Sequence, residues 1–337
     1  MSEASTADAA IRWGICGTGK IADKFVESLA NVADAEVVAV GSRTQGRSAD
    51  FALAHDIPRY HDSYVDLAAD DAVDVVYVAN TQDGHRDATI LMLEAGRHVL
   101  CEKPIGMNSA QLEEMIVAAQ RNQRFLMEAL WSRFLPGYAT LTELLDAETV
   151  GTIRLIEANF AFRVPDDVKR GHRLFDLDRG GGALLDIGIY PLQLAQLVLG
   201  APVRVAAVGS LSPEGIDEQV AFVTEHEGGA SAVMFTSLIA AGSCGARIVG
   251  DDGVITIDPT FHAPSRLRVA RDGHDEEIYD VEAPSLHHQV PEVHRCIRAG
   301  RLESDVMPWS ESRALHATLD DIRRQIDLVY PGEKTDS

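Results

Sequence analysis

Lysine is nearly missing from this chain of 337 residues: it occurs only at Lys20, Lys24, Lys103, Lys169 and Lys334. Positive charge is short altogether, with 30 Lys and Arg against 52 Asp and Glu and a formal net charge of -22. Such an acidic surface repels phosphate backbones and anionic lipid, which argues against nucleic acid or a membrane as partner. Cysteine is sparse too. Cys16, Cys101, Cys244 and Cys296 lack the close spacing of a zinc site or redox pair. No metal centre is expected, and the four read as small buried residues of a reducing compartment. No uninterrupted apolar run is long enough to span a bilayer. Residues 1–10 have neither the basic region nor the apolar core of a signal peptide, and they read as disordered. The protein is expected to be cytoplasmic.

The length suits two domains. The first is expected over residues 11–128. Ile11 to Cys16 reads as a strand, and Gly17-Thr18-Gly19-Lys20-Ile21-Ala22 follows it. Ile21, Phe25 and Leu29 then recur every four residues, as on a helix face. In this G-x-G-x-x-A turn Gly17 permits the tight bend and Gly19 lets a pyrophosphate approach the backbone. Ala22 allows close packing of helix on strand, and the helix N-terminus faces the negative charge. The next strand, Val37 to Gly41, ends in Ser42-Arg43-Thr44, with Arg47 one turn on. An NAD site often carries a carboxylate at this point. Here none is present, and two guanidiniums are available to a phosphate, which favours NADP over NAD.

Asp74 to Val78 reads as a buried strand, and Asn80-Thr81-Gln82-Asp83-Gly84 as a polar loop. His85 opens a helix that carries Leu91 and Met92 and stops at Gly96. His98 to Cys101 is a strand that delivers Glu102-Lys103-Pro104, and a further helix is expected from Ser109 to Gln123. The alternation argues a doubly wound parallel sheet of the Rossmann type, with its ligand at the carboxyl ends of the strands.

After Ala129 the rhythm stops, and residues 129–337 are expected to form the substrate and dimerisation domain. Strands are expected at Ile153–Phe162, Val203–Val208, Gln219–Thr224, Ala230–Leu238, Ala246–Ile257 and Leu267–Val269, with no helices between them. That pattern suits an α+β domain with an open, mainly antiparallel sheet, one face of which needs a cover such as a second subunit. A last helix over 308–327, with Leu315, Leu319, Ile322 and Ile326 in register, packs back. Between the first two strands lies Gly180 to Pro191, in which Asp186 and Tyr190 stand four apart, neighbours on a helix face.

Three stretches, Gly17 to Ala22, Ala95 to Pro104 and Gly180 to Pro191, together resemble the glucose-fructose oxidoreductase / inositol dehydrogenase / MocA (GFO/IDH/MocA) family over nearly the whole chain. Met127 to Phe134 and Leu185 to Tyr190 resemble its branch of dimeric dihydrodiol dehydrogenases and NADP-dependent D-xylose 1-dehydrogenases. Tyr190, where many members carry histidine, and Thr81-Gln82, where many carry Thr-Pro, also resemble that branch. The resemblance implies that Lys103, Asp186 and Tyr190 meet at the nicotinamide and that Arg43 and Arg47 bind the 2'-phosphate. It implies a cis Lys103–Pro104 bond. On this basis Gly17, Thr18, Gly19, Lys20, Ile21, Ser42, Arg43, Arg47, Asn80, Thr81, His85, Glu102 and Lys103 are the candidate cofactor-binding residues. Trp131, Arg133, Phe160, Asp186 and Tyr190 are the candidate substrate pocket.

Oxidising a carbinol requires a hydride acceptor and a base for the hydroxyl proton. Free tyrosine titrates near pH 10, and a neighbouring ammonium favours the phenolate. Tyr190 is therefore the expected base, with Lys103 as the alternative, and Asp186 orients a substrate hydroxyl or Lys103. The expected function is NADP-dependent hydride transfer from a polyhydroxylated cyclic substrate, an aldose at C1 or a trans-dihydrodiol, by a homodimer or larger homo-oligomer. The alternatives are reduction of a keto-sugar or dicarbonyl, and a nicotinamide-sensing regulator without turnover.

Overall fold

The computed structural model describes residues 9–169 and 171–333, so the N-terminal residues read as disordered lie almost entirely outside it. The chain forms two compact units. One runs to Trp131 and resumes over Ser285–Ser312. The other spans Ser132–Pro284 and resumes at Arg313.

The first unit alternates β1 (Ile11–Cys16), α1 (Lys20–Leu29), β2 (Ala35–Gly41), α2 (Arg47–Ala54), β3 (Arg59–His61), α3 (Tyr64–Ala68), β4 (Val75–Val78), α4 (His85–Glu94), β5 (His98–Glu102), α5 (Ser109–Asn122) and β6 (Leu126–Ala129). The strand order is β3-β2-β1-β4-β5-β6, with every pair parallel. Helices on both faces leave β4 no exposed side, so Val75, Val76, Tyr77 and Val78 are all fully buried and the strand reads as an apolar run without alternation. On one face Met92, Leu93, Leu112, Met115 and Ile116 of α4 and α5 join the core. Phe25 of α1 stacks on Tyr77 at 3.8 Å and meets Trp13 edge-on at 5.4 Å. The side chain of Asn108 caps α5 by accepting the Gln111 N–H at 2.9 Å. The strand order reverses between β1 and β4, which places a ligand crevice outside the carboxyl ends of these strands.

The second unit begins with α6 (Pro136–Asp146), β7 (Ile153–Ala161) and a short α7 (Asp166–Lys169). A π turn, Leu184–Gly188, then leads into α8 (Ile189–Leu199). Seven further strands follow: β8 (Arg204–Leu211), β9 (Asp217–Glu225), β10 (Ser231–Ser237), β11 (Ala246–Gly250), β12 (Gly253–Ile257), β13 (Arg266–Arg271) and β14 (Glu277–Asp280). Their sheet order is β14-β13-β12-β11-β7-β10-β9-β8. Only β7 and β10 pair in parallel; the rest are antiparallel. The stretch read as one strand, Ala246–Ile257, is a hairpin turned at Asp251-Asp252. Along β9 and β10, Val220, Phe222, Ala232 and Met234 point inward, while Val223, Val233 and Phe235 face out. Register sets Val223 opposite Val233 and Phe235 opposite Ala221, which itself faces Val208. These large apolar groups form a continuous exposed face.

The chain returns to the first unit through α9 (Val290–Arg298), whose His294 accepts the Trp13 indole N–H at 3.0 Å. The last helix, α10 (Trp309–Gln325), begins in the first unit and continues in the second, with Leu315, Leu319 and Ile322 buried. Cys16, Cys101 and Cys296 are buried and Cys244 half-buried, all as free thiols. By length and composition one described helical stretch, Leu177–Leu199, is apolar enough to cross a membrane, although Asp178, Arg179 and Asp186 interrupt it. In its most apolar window 83% is buried inside the fold.

Candidate active site

In the first unit the candidate residues gather at the carboxyl ends of β1, β2 and β4. Gly17 has φ +115°, and its N–H donates to the Gly41 carbonyl at 2.9 Å. A Cβ there would stand 2.9 Å from the Ala79 carbonyl oxygen, so the turn closes only around glycine. At Gly19 a Cβ would meet nothing within 4 Å, which leaves room for a ligand against the backbone. No side chain caps α1, so its first N–H groups beyond Gly19 remain available to an anion, beside a half-buried Thr18, an exposed Lys20 and a half-buried Ile21.

Ser42 is buried, and its hydroxyl accepts the Thr44 N–H at 3.2 Å. Arg43 and Arg47 are exposed, and among the described residues neither forms an ion pair. The Arg43 guanidinium lies 5.4 Å from the centre of the Tyr64 ring and borders Gly84. Asn80 follows β4, beside Gly17. Its Oδ1 and Nδ2 are both buried with no hydrogen-bond partner among the described residues. A carboxamide held in this way against a glycine turn has unmet polar capacity for a bound nucleotide. Glycine backbone, open space at Gly19, two guanidiniums outside any ion pair among the described residues, and an unsatisfied amide together fit a phosphorylated dinucleotide.

Lys103 is half-buried at the end of β5, and the Lys103–Pro104 bond is cis, as expected. Buried side chains hold this bend. Glu102 accepts from the Tyr77 hydroxyl and from the Lys103 N–H at 3.2 Å. Glu128 accepts the Ile105 N–H at 3.0 Å and the Ser312 hydroxyl at 2.6 Å. His85 lies with Nδ1 2.8 Å from the Pro104 carbonyl and Nε2 3.2 Å from that of Asn80. Burial, and to a smaller extent Lys103, lowers its pKa and favours the neutral ring. With one N–H, the neutral ring donates to one of these two carbonyls and stands between the loop of Asn80 and the lysine bend.

A cleft of about 580 Å³ opens at the opposite ends of these strands, lined in part by Ile11, Asp74 and His98. Arg97 there donates to the carbonyls of Ala68 and Val73, and Arg124 to that of Gly96. Its cations are occupied by the fold, and ligands of open parallel sheets bind at the other end.

In the second unit the π turn and α8 carry Asp186 and Tyr190, both nearly buried at 7% and 6% exposure. Such i→i+5 turns occur frequently at functional sites. Asp186 accepts from the Arg173 guanidinium at 3.0 Å. The Tyr190 ring lies 5.6 Å from Phe160 and 4.8 Å from His262, and His262 stacks on Phe160 at 4.2 Å. Arg133 donates to Gln193 of α8 at 3.3 Å, and Gln193 donates to the Tyr138 hydroxyl at 2.9 Å. Trp131 is half-buried and belongs to the first unit. Arg173 and His262 were not foreseen. Neither sits in a recognisable motif, and only folding brings them to Asp186 and Tyr190.

A parallel sheet of order 3-2-1-4-5-6 with a glycine turn, followed by a mixed-sheet unit whose π turn and helix carry an acid and a phenol, defines the class of two-domain dinucleotide-dependent oxidoreductases. Residues 11–130 match the model of the oxidoreductase family with the NAD-binding Rossmann fold, and 138–256 the C-terminal domain of the same family. The chain belongs to the GFO/IDH/MocA oxidoreductase family. It is 34% identical to trans-1,2-dihydrobenzene-1,2-diol dehydrogenase of Xenopus laevis, over 96% of this chain and 100% of the relative. Among solved structures it is similar to a 3-ketoreductase from Actinomadura kijaniata in complex with NADP and TDP-benzene, with TM-score 0.86 and 25% identity. An aldose-aldose oxidoreductase from Caulobacter crescentus, complexed with glycerol, gives TM-score 0.84 and 25% identity. Both alignments cover 94% of this chain and 98% of the other.

Proposed function

We propose that the chain is an NADP-dependent dehydrogenase of a polyhydroxylated cyclic substrate, either an aldose at C1 or a trans-dihydrodiol. The observation that carries this reading is the pairing of a nearly buried acid, Asp186, with a nearly buried phenol, Tyr190, against the rings of Phe160 and His262. A ring with an apolar face and adjacent hydroxyls suits such a wall and such a pair of polar groups. The dihydrodiol dehydrogenase relatives support the diol arm, and the aldose-aldose oxidoreductase supports the sugar arm.

NADP, when bound, accepts the hydride from the carbinol carbon. The glycine turn and Asn80 would hold its phosphates and ribose, and Arg43 and Arg47 its 2'-phosphate. Lys103 polarises the substrate oxygen and favours the phenolate, Tyr190 takes the hydroxyl proton at Oη, and Asp186 orients a neighbouring hydroxyl. Run in reverse, the same groups reduce a ring ketone, and the 3-ketoreductase neighbour supports that direction.

The enzyme acts as a cytoplasmic homodimer through the open sheet face. Support comes from Val208, Val223, Val233 and Phe235, which are 73%, 43%, 48% and 40% exposed on adjacent strands. The test of the function is NADPH formation across a panel of aldoses and trans-dihydrodiols, with NADP and NAD in parallel. Turnover with NADP is the expected result. Binding of NADP without turnover of any substrate, in either direction, would favour a sensor.

A further inference from the structure

The second unit contains a buried carboxylate that the reaction above does not use. Asp217 opens β9 and is fully buried. Its Oδ2 accepts the Leu184 N–H at 2.6 Å. Its Oδ1 has no hydrogen-bond partner among the described residues and lies against the backbone of Gly182. A Cβ at Gly182 would stand 1.8 Å from that oxygen, and Gly182 has φ +125°, where L side chains are rare. On the other side of the turn the Tyr330 hydroxyl donates to the Gly181 carbonyl at 3.0 Å. The Arg323 guanidinium sits 4.7 Å from the Tyr330 ring centre and also bonds Glu333. The glycine turn is therefore gripped from two sides directly before the residues that carry Asp186 and Tyr190.

We infer that Asp217 is a positioning residue: its carboxylate fixes the backbone at Gly182–Leu184, and so sets where Asp186 and Tyr190 stand toward the substrate. The inference rests on the reading that those two residues serve the substrate. The charged and titratable groups around the carboxylate are Arg323 and Tyr330, with Glu333 and Asp186 facing Tyr330 in turn. Burial pushes the Asp217 carboxyl up to about 7, against the pull of the Leu184, Asp217 and Ala183 N–H groups and of Arg323. The anchor thus changes charge near neutral pH. A carboxyl whose folded pKa lies above its unfolded value favours the fold while protonated. Its contribution is full below the unfolded pKa and is lost as pH rises through the folded one. Ionisation costs stability and at the same time strengthens the hydrogen bonds that hold the turn.

Asp217→Ala, Asp217→Asn and Tyr190→Phe test this together. Asp217→Ala should lower kcat by about tenfold to a hundredfold while Kd for NADP, read by fluorescence titration, stays within about twofold. Asp217→Asn keeps one acceptor for Leu184 and has no charge to gain. It should recover part of kcat, lose the wild-type kcat step near neutrality, and lose the wild-type decline in thermal midpoint between about pH 4 and pH 7. If Asp217→Ala does not fold, the two pH profiles of Asp217→Asn decide. Wild-type kcat in Asp217→Ala, or wild-type pH profiles in Asp217→Asn, would overturn the inference. Inactive Tyr190→Phe beside unaffected Asp217 variants would overturn it alone. An active Tyr190→Phe would instead overturn the substrate-side reading beneath it.

Discussion

Arg43 and Arg47 show how a single residue's surroundings argue function. Both are exposed, neither is ion-paired among the described residues, and Arg43 borders the turn of Gly84 and Asn80. In a chain with net charge -22, two guanidiniums without carboxylate partners form a cationic spot on an acidic surface. Arg43→Ala should raise KM for NADP by roughly ten- to a hundredfold, as expected for one charge-assisted contact of about 1.5–3 kcal/mol, and leave NAD kinetics nearly unchanged. Steady-state kinetics with both cofactors check this, and equal losses with NADP and NAD would assign Arg43 to the fold. Residues of this kind were legible because each follows a strand or glycine signal by a short, fixed interval. Arg173, Asp217 and His262 were not. Arg173 lies 13 residues from Asp186 and Asp217 lies 33 from Leu184, distances at which no helical or strand period links them. A carboxylate heading an apolar strand, as Asp217 does, was the one available hint.

At the scale of elements, β1 with α1 and β4 were readable because parallel strands buried on both faces are apolar throughout and glycine marks the turn. The helix α6 escaped because it follows the domain change directly and starts at Pro136. The hairpin of β11 and β12 was read as one strand, since both arms are apolar and only Asp251-Asp252 marks the turn. The edge strand β14 has four residues with alternating exposure, too few to register as a pattern. The π turn has no sequence signature at all.

The start of β5 also carries a pH dependence. His98 Nδ1 accepts the Phe125 N–H at 2.9 Å, and burial, with Arg124 adding, pushes its pKa down to about 4. The folded ring stays neutral where the unfolded one protonates. Its contribution to stability is therefore intact above about pH 6.5 and is lost as pH falls toward 4. His98→Gln should remove part of the wild-type loss of stability over that interval, on the order of 2–3 kcal/mol. Urea unfolding of both proteins at about pH 7 and about pH 4.5 measures it. Identical pH dependence in the two proteins would contradict the assignment.

For the whole molecule, the apolar face formed by β8, β9 and β10 should bury itself against a second copy. Light scattering at micromolar concentration should give twice the chain mass, and Val233→Glu should reduce it to one. A monomeric wild-type protein would contradict the dimer. Both sheets were anticipated in outline, because strand–helix alternation and its sudden loss are long-range patterns that survive errors in single elements.

The most direct test of the account is a single-turnover measurement of NADPH formation with wild-type protein and Tyr190→Phe, after NADP binding by both has been established. Tyr190→Phe keeps the ring against Phe160 and His262 and removes only the phenol oxygen, the proposed proton acceptor. NADP affinity should be unchanged, and the rate of hydride transfer should fall by about 10²–10⁴, the usual worth of general base catalysis. A Tyr190→Phe rate equal to that of the wild-type protein would show that Tyr190 only packs, and would remove the centre of the proposed mechanism.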